Sequence, residues 1–150
     1  AFPPRPKGRG LHAVNKMKDT IKKIETKGAP QAVGPYSQAV KVGIFLFVSG
    51  QIPIEPAAGR ITDTTIQGQT KQVLDNIEAI LKADDLTLAA VVKTEVFLKN
   101  MNDFQEMNRV YAEKFTSSIK PARQTIEVAR LPLDALVEIS CIAVRSCTKN

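Results

Sequence analysis

The tetrapeptide Lys120-Pro121-Ala122-Arg123 sets a guanidinium just after a rigid proline, where its planar fork can be aimed at a carboxylate or phosphate. Spacing alone equally allows Arg123 a surface or interface ion pair. Glu138 lies inside the apolar run Val137-Glu138-Ile139, and a carboxylate there is costly to bury unless it is partnered or used. A structural partner and a catalytic role are both open. The turns Gly34-Pro35-Tyr36 and Ser49-Gly50-Gln51-Ile52-Pro53 carry polar side chains that could line a ligand site or serve only the turns themselves. Tyr36 is equally readable as a packed aromatic with its hydroxyl at the surface. Asn108 is a further amide on a predicted helix.

Other chemistries lack their residues. The two cysteines, Cys141 and Cys147, would lie on one face of an extended segment about 20 Å apart, too far to bridge. There is no CxxC pair, and the one histidine, His12, lies in an N-terminal stretch that the fold does not need. Zinc-ligand sets and Ser-His-Asp or Cys-His nucleophiles are therefore not expected, and no metal site is assigned.

The elements that must position these residues follow from periodicity. Asp19 to Thr26 reads as a first strand, GAPQAVGPYS as a loop, and Ala39 to Ser49 as strand interrupted at Gly43. Between Thr65 and Lys82, Ile66, Val73, Leu74, Ile77, Ile80 and Leu81 recur at three- and four-residue intervals, the stripe of a helix laid on a sheet. Val91 to Lys99 alternates as a strand. Asn102 or Asp103 can cap a second helix with Phe104, Met107, Val110, Tyr111 and Phe115 inward, ended before Pro121. Arg123 to Leu131 and Leu136 to Ser146 are the last predicted strands. The order β-β-α-β-α-β-β predicts an α+β fold, a mixed sheet with two helices on one face. Apolar residues on both faces of the last strand predict homo-oligomerisation through the uncovered face.

A chain of 150 residues suits one domain, and 43% apolar with 24% charged residues is ordinary globular usage. The longest apolar run, Val42 to Val48, is far short of the roughly 20 residues of a membrane span. The net charge of +6 suggests nucleic acid until it is located: Arg5, Lys7, Arg9 and Lys16 face no acid in the first 16 residues, which leaves the rest near +2. With aromatics at 5%, a base-stacking surface is not expected. Residues 1–18 are read as a disordered basic arm, an organellar targeting remnant or an expression remnant, and 19–150 as the domain; cytoplasm or mitochondrion both fit.

The blocks GPYSQAV, VSGQIP, QTKQVLDNIEAIL, VVKTEVFLKNMNDFQEMNRVYAEKF and KPARQTIEVARLPLDALVEISCIAV run in order from about Ile24 to Val144. With them the chain resembles the reactive intermediate deaminase A (RidA) family. The resemblance implies a chorismate-mutase-like α+β subunit, a homotrimer with ligand clefts between subunits, and a role in metabolite damage control. The implied activity is cofactor-free hydrolysis of 2-imino acids, such as 2-iminobutanoate and 2-iminopropanoate, to 2-keto acids and ammonia. By family position Arg123 would hold the substrate carboxylate, Glu138 would orient or deprotonate the water, and the Thr125 carbonyl would hold the water or the imine nitrogen. Tyr36, Ser49, Gly50 and Asn108 would line the cleft. Gln124 replaces a small residue and Thr125 replaces a frequent Cys. The competing expectations are an RNA-directed translation inhibitor or endoribonuclease, and a non-catalytic trimeric sensor of small carboxylates.

Overall fold

The computed structural model describes residues 21–146. The readings of the basic arm, of His12 and of the Cys141–Cys147 spacing fall on residues outside that range. Helix α1, Ile66–Lys82, starts where Thr65 in extended backbone accepts from the Gly68 N–H at 3.1 Å. Asp63 accepts in turn from the Thr65 N–H and hydroxyl at 2.7 and 2.6 Å. The predicted stripe is buried: Val73, Leu74, Ile77, Ile80 and Leu81 are fully out of water. At roughly 1.5–3 kcal/mol for each such side chain, this one face is a large share of what holds the subunit together.

Eight strands appear among the described residues. Six form one sheet: β1 Ile21–Ile24, β2 Ala39–Val42, β3 Phe45–Gln51, β6 Val91–Leu98, β7 Ala122–Glu127 and β8 Val137–Val144. Their order is β1-β2-β3-β8-β6-β7, antiparallel except for the parallel pair β6 and β7. The other two, β4 Ile54–Glu55 and β5 Arg60–Ile61, make a small separate hairpin that periodicity did not reveal. Helix α2, Phe104–Lys114, packs beside α1, and α1 lies against β3 and β8. Both helices thus cover one face. Val48, Val96, Leu98, Ile139, Cys141 and Ala143 point into that layer.

Two boundaries differ from expectation for local reasons. The segment 39–49 is a hairpin and not one interrupted strand, because Gly43 adopts φ +59° at the first position of a two-residue turn that pairs Val42 with Phe45. Strand β7 ends at Glu127, short of the predicted Leu131, as the chain turns toward Pro132, which has no N–H for a ladder. The C-terminal end of α1 is fastened by Asp84. Burial alone would raise its carboxyl, but hydrogen bonds and charge from Lys41 and Arg145 outweigh it and hold the group below its ordinary range.

The uncovered face is apolar and open in the single chain. Phe45, Phe47 and Ile126 are 44%, 45% and 44% exposed. On the last strand the residues facing the helices, Val137, Ile139, Cys141 and Ala143, are buried, whereas Ile142 and Val144 on the other side are only partly so.

Candidate active site

Arg123 occupies the second position of β7, the strand at the sheet edge, in register with Thr94 of β6. In-register residues of parallel neighbours share a face, so Arg123 points to the helix side. There its Nη1 donates to Asn108 Oδ1 at 2.8 Å. The guanidinium carbon sits 4.7 Å from the Tyr111 ring centre and 5.6 Å from that of Phe104. Tyr111 is itself locked: its hydroxyl shares a 2.8 Å hydrogen bond with buried Thr94, and its ring stacks on Phe115 at 4.3 Å. Burial pushes the phenol above its usual pKa, so it stays neutral beneath the cation. Among the described residues Arg123 has no carboxylate partner, whereas every ion pair formed there uses another cation. A cavity of about 350 Å³ opens beside it, lined by Asn108, Tyr111, Ala112, Phe115, Lys120, Pro121 and Arg123.

Glu138 is placed by a different device. Val48 pairs with Cys141 but Gln51 pairs with Ile139, three residues of β3 against two of β8, so Ser49-Gly50 form a bulge. The bulge lays Gly50 against the Glu138 side chain: a Cβ on Gly50 would overlap the carboxylate oxygen and stand 2.9 Å from Cδ. Glu138 pairs with Phe97 of β6, whose neighbour on β7 is Ile126, and no hydrogen bond to it is found among the described residues. Burial alone lifts its carboxyl above the ordinary range, which suits a base. Ser49 donates from its Oγ to Ser37 O at 2.6 Å and from its N–H to Gln38 O at 3.0 Å, which ties the loop carrying Tyr36 to this bulge. Tyr36 is 53% exposed beside Gly34.

The seven expected site residues therefore form two groups. Gly50 and Glu138 meet where β3 meets β8, with Ser49 beside them and Tyr36 on the loop that Ser49 ties down; Arg123, Asn108 and Thr125 gather at the β7 edge on the helix side. Thr125 pairs with Val96, and its buried hydroxyl has no hydrogen-bond partner among the described residues. Arg123 is level with Cys141, while Glu138 points to the opposite face, two strands away. Strand spacing puts them on the order of 10 Å apart even before the sheet's thickness is added. A four-carbon acid is roughly 5 Å long and cannot touch both within one chain. Phe104 and Tyr111, which pack against Arg123, read from sequence only as part of the inward stripe of a helix. The three-residue step from Asn108 to Tyr111 is the signal that could have joined them. Among the described residues no group of His, Cys, Asp and Glu could hold a metal ion, and no helix is long and apolar enough to cross a membrane.

Two helices on one face of a mixed sheet define an α+β fold, which here carries an arginine at one sheet edge with no carboxylate partner among the described residues and a desolvated glutamate over a bulge glycine on the other face. Comparison with known proteins gives that fold its family. The chain belongs to the family described as Endoribonuclease L-PSP, whose profile matches residues 26–145 and which includes the RidA proteins. A RutC family protein of Pyrococcus horikoshii is 56% identical over 122 residues, 81% of this chain and 96% of that one. The 2-iminobutanoate/2-iminopropanoate deaminase of Escherichia coli is 45% identical over 126 residues, 83% of this chain and 98% of that one. The crystal structure of E. coli TdcF with bound serine superposes with a TM-score of 0.80 at 43% identity, covering 83% of this chain and 99% of that one.

Proposed function

We propose that the protein hydrolyses small 2-imino acids, 2-iminobutanoate and 2-iminopropanoate among them, to 2-keto acids and ammonia. The observation that carries the reading is Arg123: a guanidinium held over the Tyr111 ring and fixed by Asn108, yet without a carboxylate partner among the described residues. Its remaining N–H groups form the fork that a substrate carboxylate fills. The deaminase name of a relative at 45% identity and the serine in TdcF agree with a small amino-acid-like ligand.

A protonated imine is already electrophilic, so the protein has chiefly to orient it and a water. Glu138 takes one proton as water adds to the imine carbon, giving a tetrahedral carbinolamine. Glu138 returns that proton to nitrogen and then takes the carbinolamine hydroxyl proton as the C–N bond breaks, releasing ammonia and the keto acid. The Thr125 carbonyl steadies the water or the nitrogen, while Tyr36, Ser49 and Gly50 close the Glu138 side. Because Arg123 and Glu138 lie on opposite faces, one substrate meets both only in a cleft between two chains. The homotrimer supplies it, with the apolar face of Phe45 and Phe47 covered.

The test is the rate of keto-acid and ammonia release from freshly generated 2-iminobutanoate, with semicarbazide trapping of the residual imine, for the native protein and Arg123→Ala. Acceleration lost in the variant is expected; no acceleration by the intact native assembly would overturn the reading. The family description favours a second reading, cleavage of RNA. Products formed from a single-stranded RNA, insensitive to Glu138→Gln and Arg123→Ala, would place that activity elsewhere on the chain.

A further inference from the structure

We infer that the Arg123 cavity selects 2-imino acids whose side chain ends in a second carboxylate, and that Lys120 is the residue that selects them. This rests on the imine-hydrolase reading and names its substrate class. The cavity holds two cations and no acid: Arg123 and Lys120 line it, and no Asp or Glu does. Lys120 Nζ donates to the carbonyl oxygens of Phe115 and Ser117 at 2.7 and 2.8 Å. Both acceptors are neutral, so they fix the ammonium in place without cancelling its charge, and one of its three N–H groups is left for a ligand. On the neighbouring helix faces the cations are neutralised: Lys71 and Lys114 share Asp75, and Arg109 lies between Glu106 and Glu113. Asn108 adds a third donor, because Arg123 occupies its Oδ1 while its amide N–H groups have no acceptor among the described residues.

Two like charges in one concave site raise each other's cost unless an anion joins them. One substrate carboxylate answers Arg123 alone and leaves the third Lys120 N–H unused. A second carboxylate on a two- or three-carbon side chain answers both. The volume, about 350 Å³, falls in the range of ordinary ligand pockets and exceeds what a four-carbon acid fills. The walls of Tyr111, Phe115 and Pro121 suit the methylenes between the two charged ends.

The stable keto analogues test this by titration calorimetry on the full chain in its native assembly. 2-Oxoglutarate should bind about tenfold more tightly than 2-oxobutanoate, a difference of about 1.4 kcal/mol. Lys120→Gln, which can still donate to the loop carbonyls, should abolish the difference, and Lys120→Arg should restore it. The advantage should shrink as salt rises, since the second contact is partly exposed. Equal affinities in the native protein, an unaltered preference in Lys120→Gln, or no binding of either acid would overturn the inference. Turnover separates the two ideas: a native protein that hydrolyses 2-iminobutanoate without preferring the dicarboxylate overturns the selectivity alone. Dicarboxylate binding through Lys120 with no hydrolysis of any imine overturns the enzymatic reading alone.

Discussion

Replacing Gly50 by alanine adds one methyl group at the place where the bulge meets Glu138. The new Cβ would overlap the carboxylate oxygen and lie 2.9 Å from Cδ and 3.2 Å from Cγ. Ordinary carbon contacts are about 3.5–4.0 Å, so the carboxylate must retreat by about 1 Å. Gly50 is not among the glycines at positive φ, which leaves the backbone free to accept alanine. The cost to folding is then that of a displaced rotamer, about 0.5–1.5 kcal/mol. A catalytic group misplaced by 1 Å can lose about 100-fold in rate, or about 2.7 kcal/mol of barrier. We therefore expect Gly50→Ala to lower kcat for 2-iminobutanoate about 100-fold, with KM nearly unchanged because Arg123 is untouched and a thermal midpoint lowered by only a few degrees. The assay is semicarbazide-trapped imine hydrolysis beside a melting curve. In a Glu138→Gln background the added methyl should cost almost nothing more, since both changes remove one group. A Gly50→Ala protein with kcat within threefold of native would show that Glu138 does not act from this position.

Four further outcomes follow from the same geometry. The acid limb of kcat/KM should rise through a midpoint above the ordinary glutamate value of about 4.3, because the ionised form is the base and burial holds Glu138 protonated to higher pH; a limb that survives in Glu138→Gln refutes this. Since the native state keeps that proton longer than the unfolded chain, the burial penalty is absent below the unfolded pKa and complete above the folded one. Stability should fall across that window in the native protein and not in Glu138→Gln, as read by denaturant titration at several pH values. Tyr111→Leu should raise KM roughly threefold to tenfold by removing the plate under Arg123, while Tyr111→Phe should keep KM and lower stability by about 1–3 kcal/mol, having stranded the Thr94 hydroxyl; the reverse pattern would deny Tyr111 its positioning role. Sedimentation should give the native protein three times its 16.4 kDa mass and Phe47→Glu a smaller, inactive species; a fully active native monomer would exclude the shared cleft.

Helix α1 was legible from sequence because a six-residue apolar stripe at helical spacing has no other use, and the chain buries all of it. β6 was legible for a similar reason, with Thr94, Val96 and Leu98 inward and Val92, Lys93, Glu95 and Phe97 partly or fully wet. Gly43 was noticed but misread, since periodicity records that a strand pauses and not that it reverses. The hairpin of β4 and β5 is two residues to a side and has no period to detect. β7 is the instructive case. All of its side chains are exposed or half-exposed, so its sequence carries no inward–outward alternation; only pairing with β6 decides that Arg123 faces the helices and Gln124 the open side. That assignment required the sheet.

The residue types of the proposed site can be named from the sequence, but their division between two faces cannot, and that division has a physical consequence. Glu138 lies on the surface that exposes Phe45 and Phe47, whereas Arg123 lies behind the sheet at its edge. Covering the apolar surface with another chain removes it from water and, in the same step, brings a foreign edge up to Glu138. In the proposed assembly, association would be driven by area that has no part in the chemistry, and the chemistry would acquire its second half from the association. A subunit arranged this way would be inert alone even when fully folded. Loss of activity on dilution should therefore follow the dissociation of the assembly and not the unfolding of the chain.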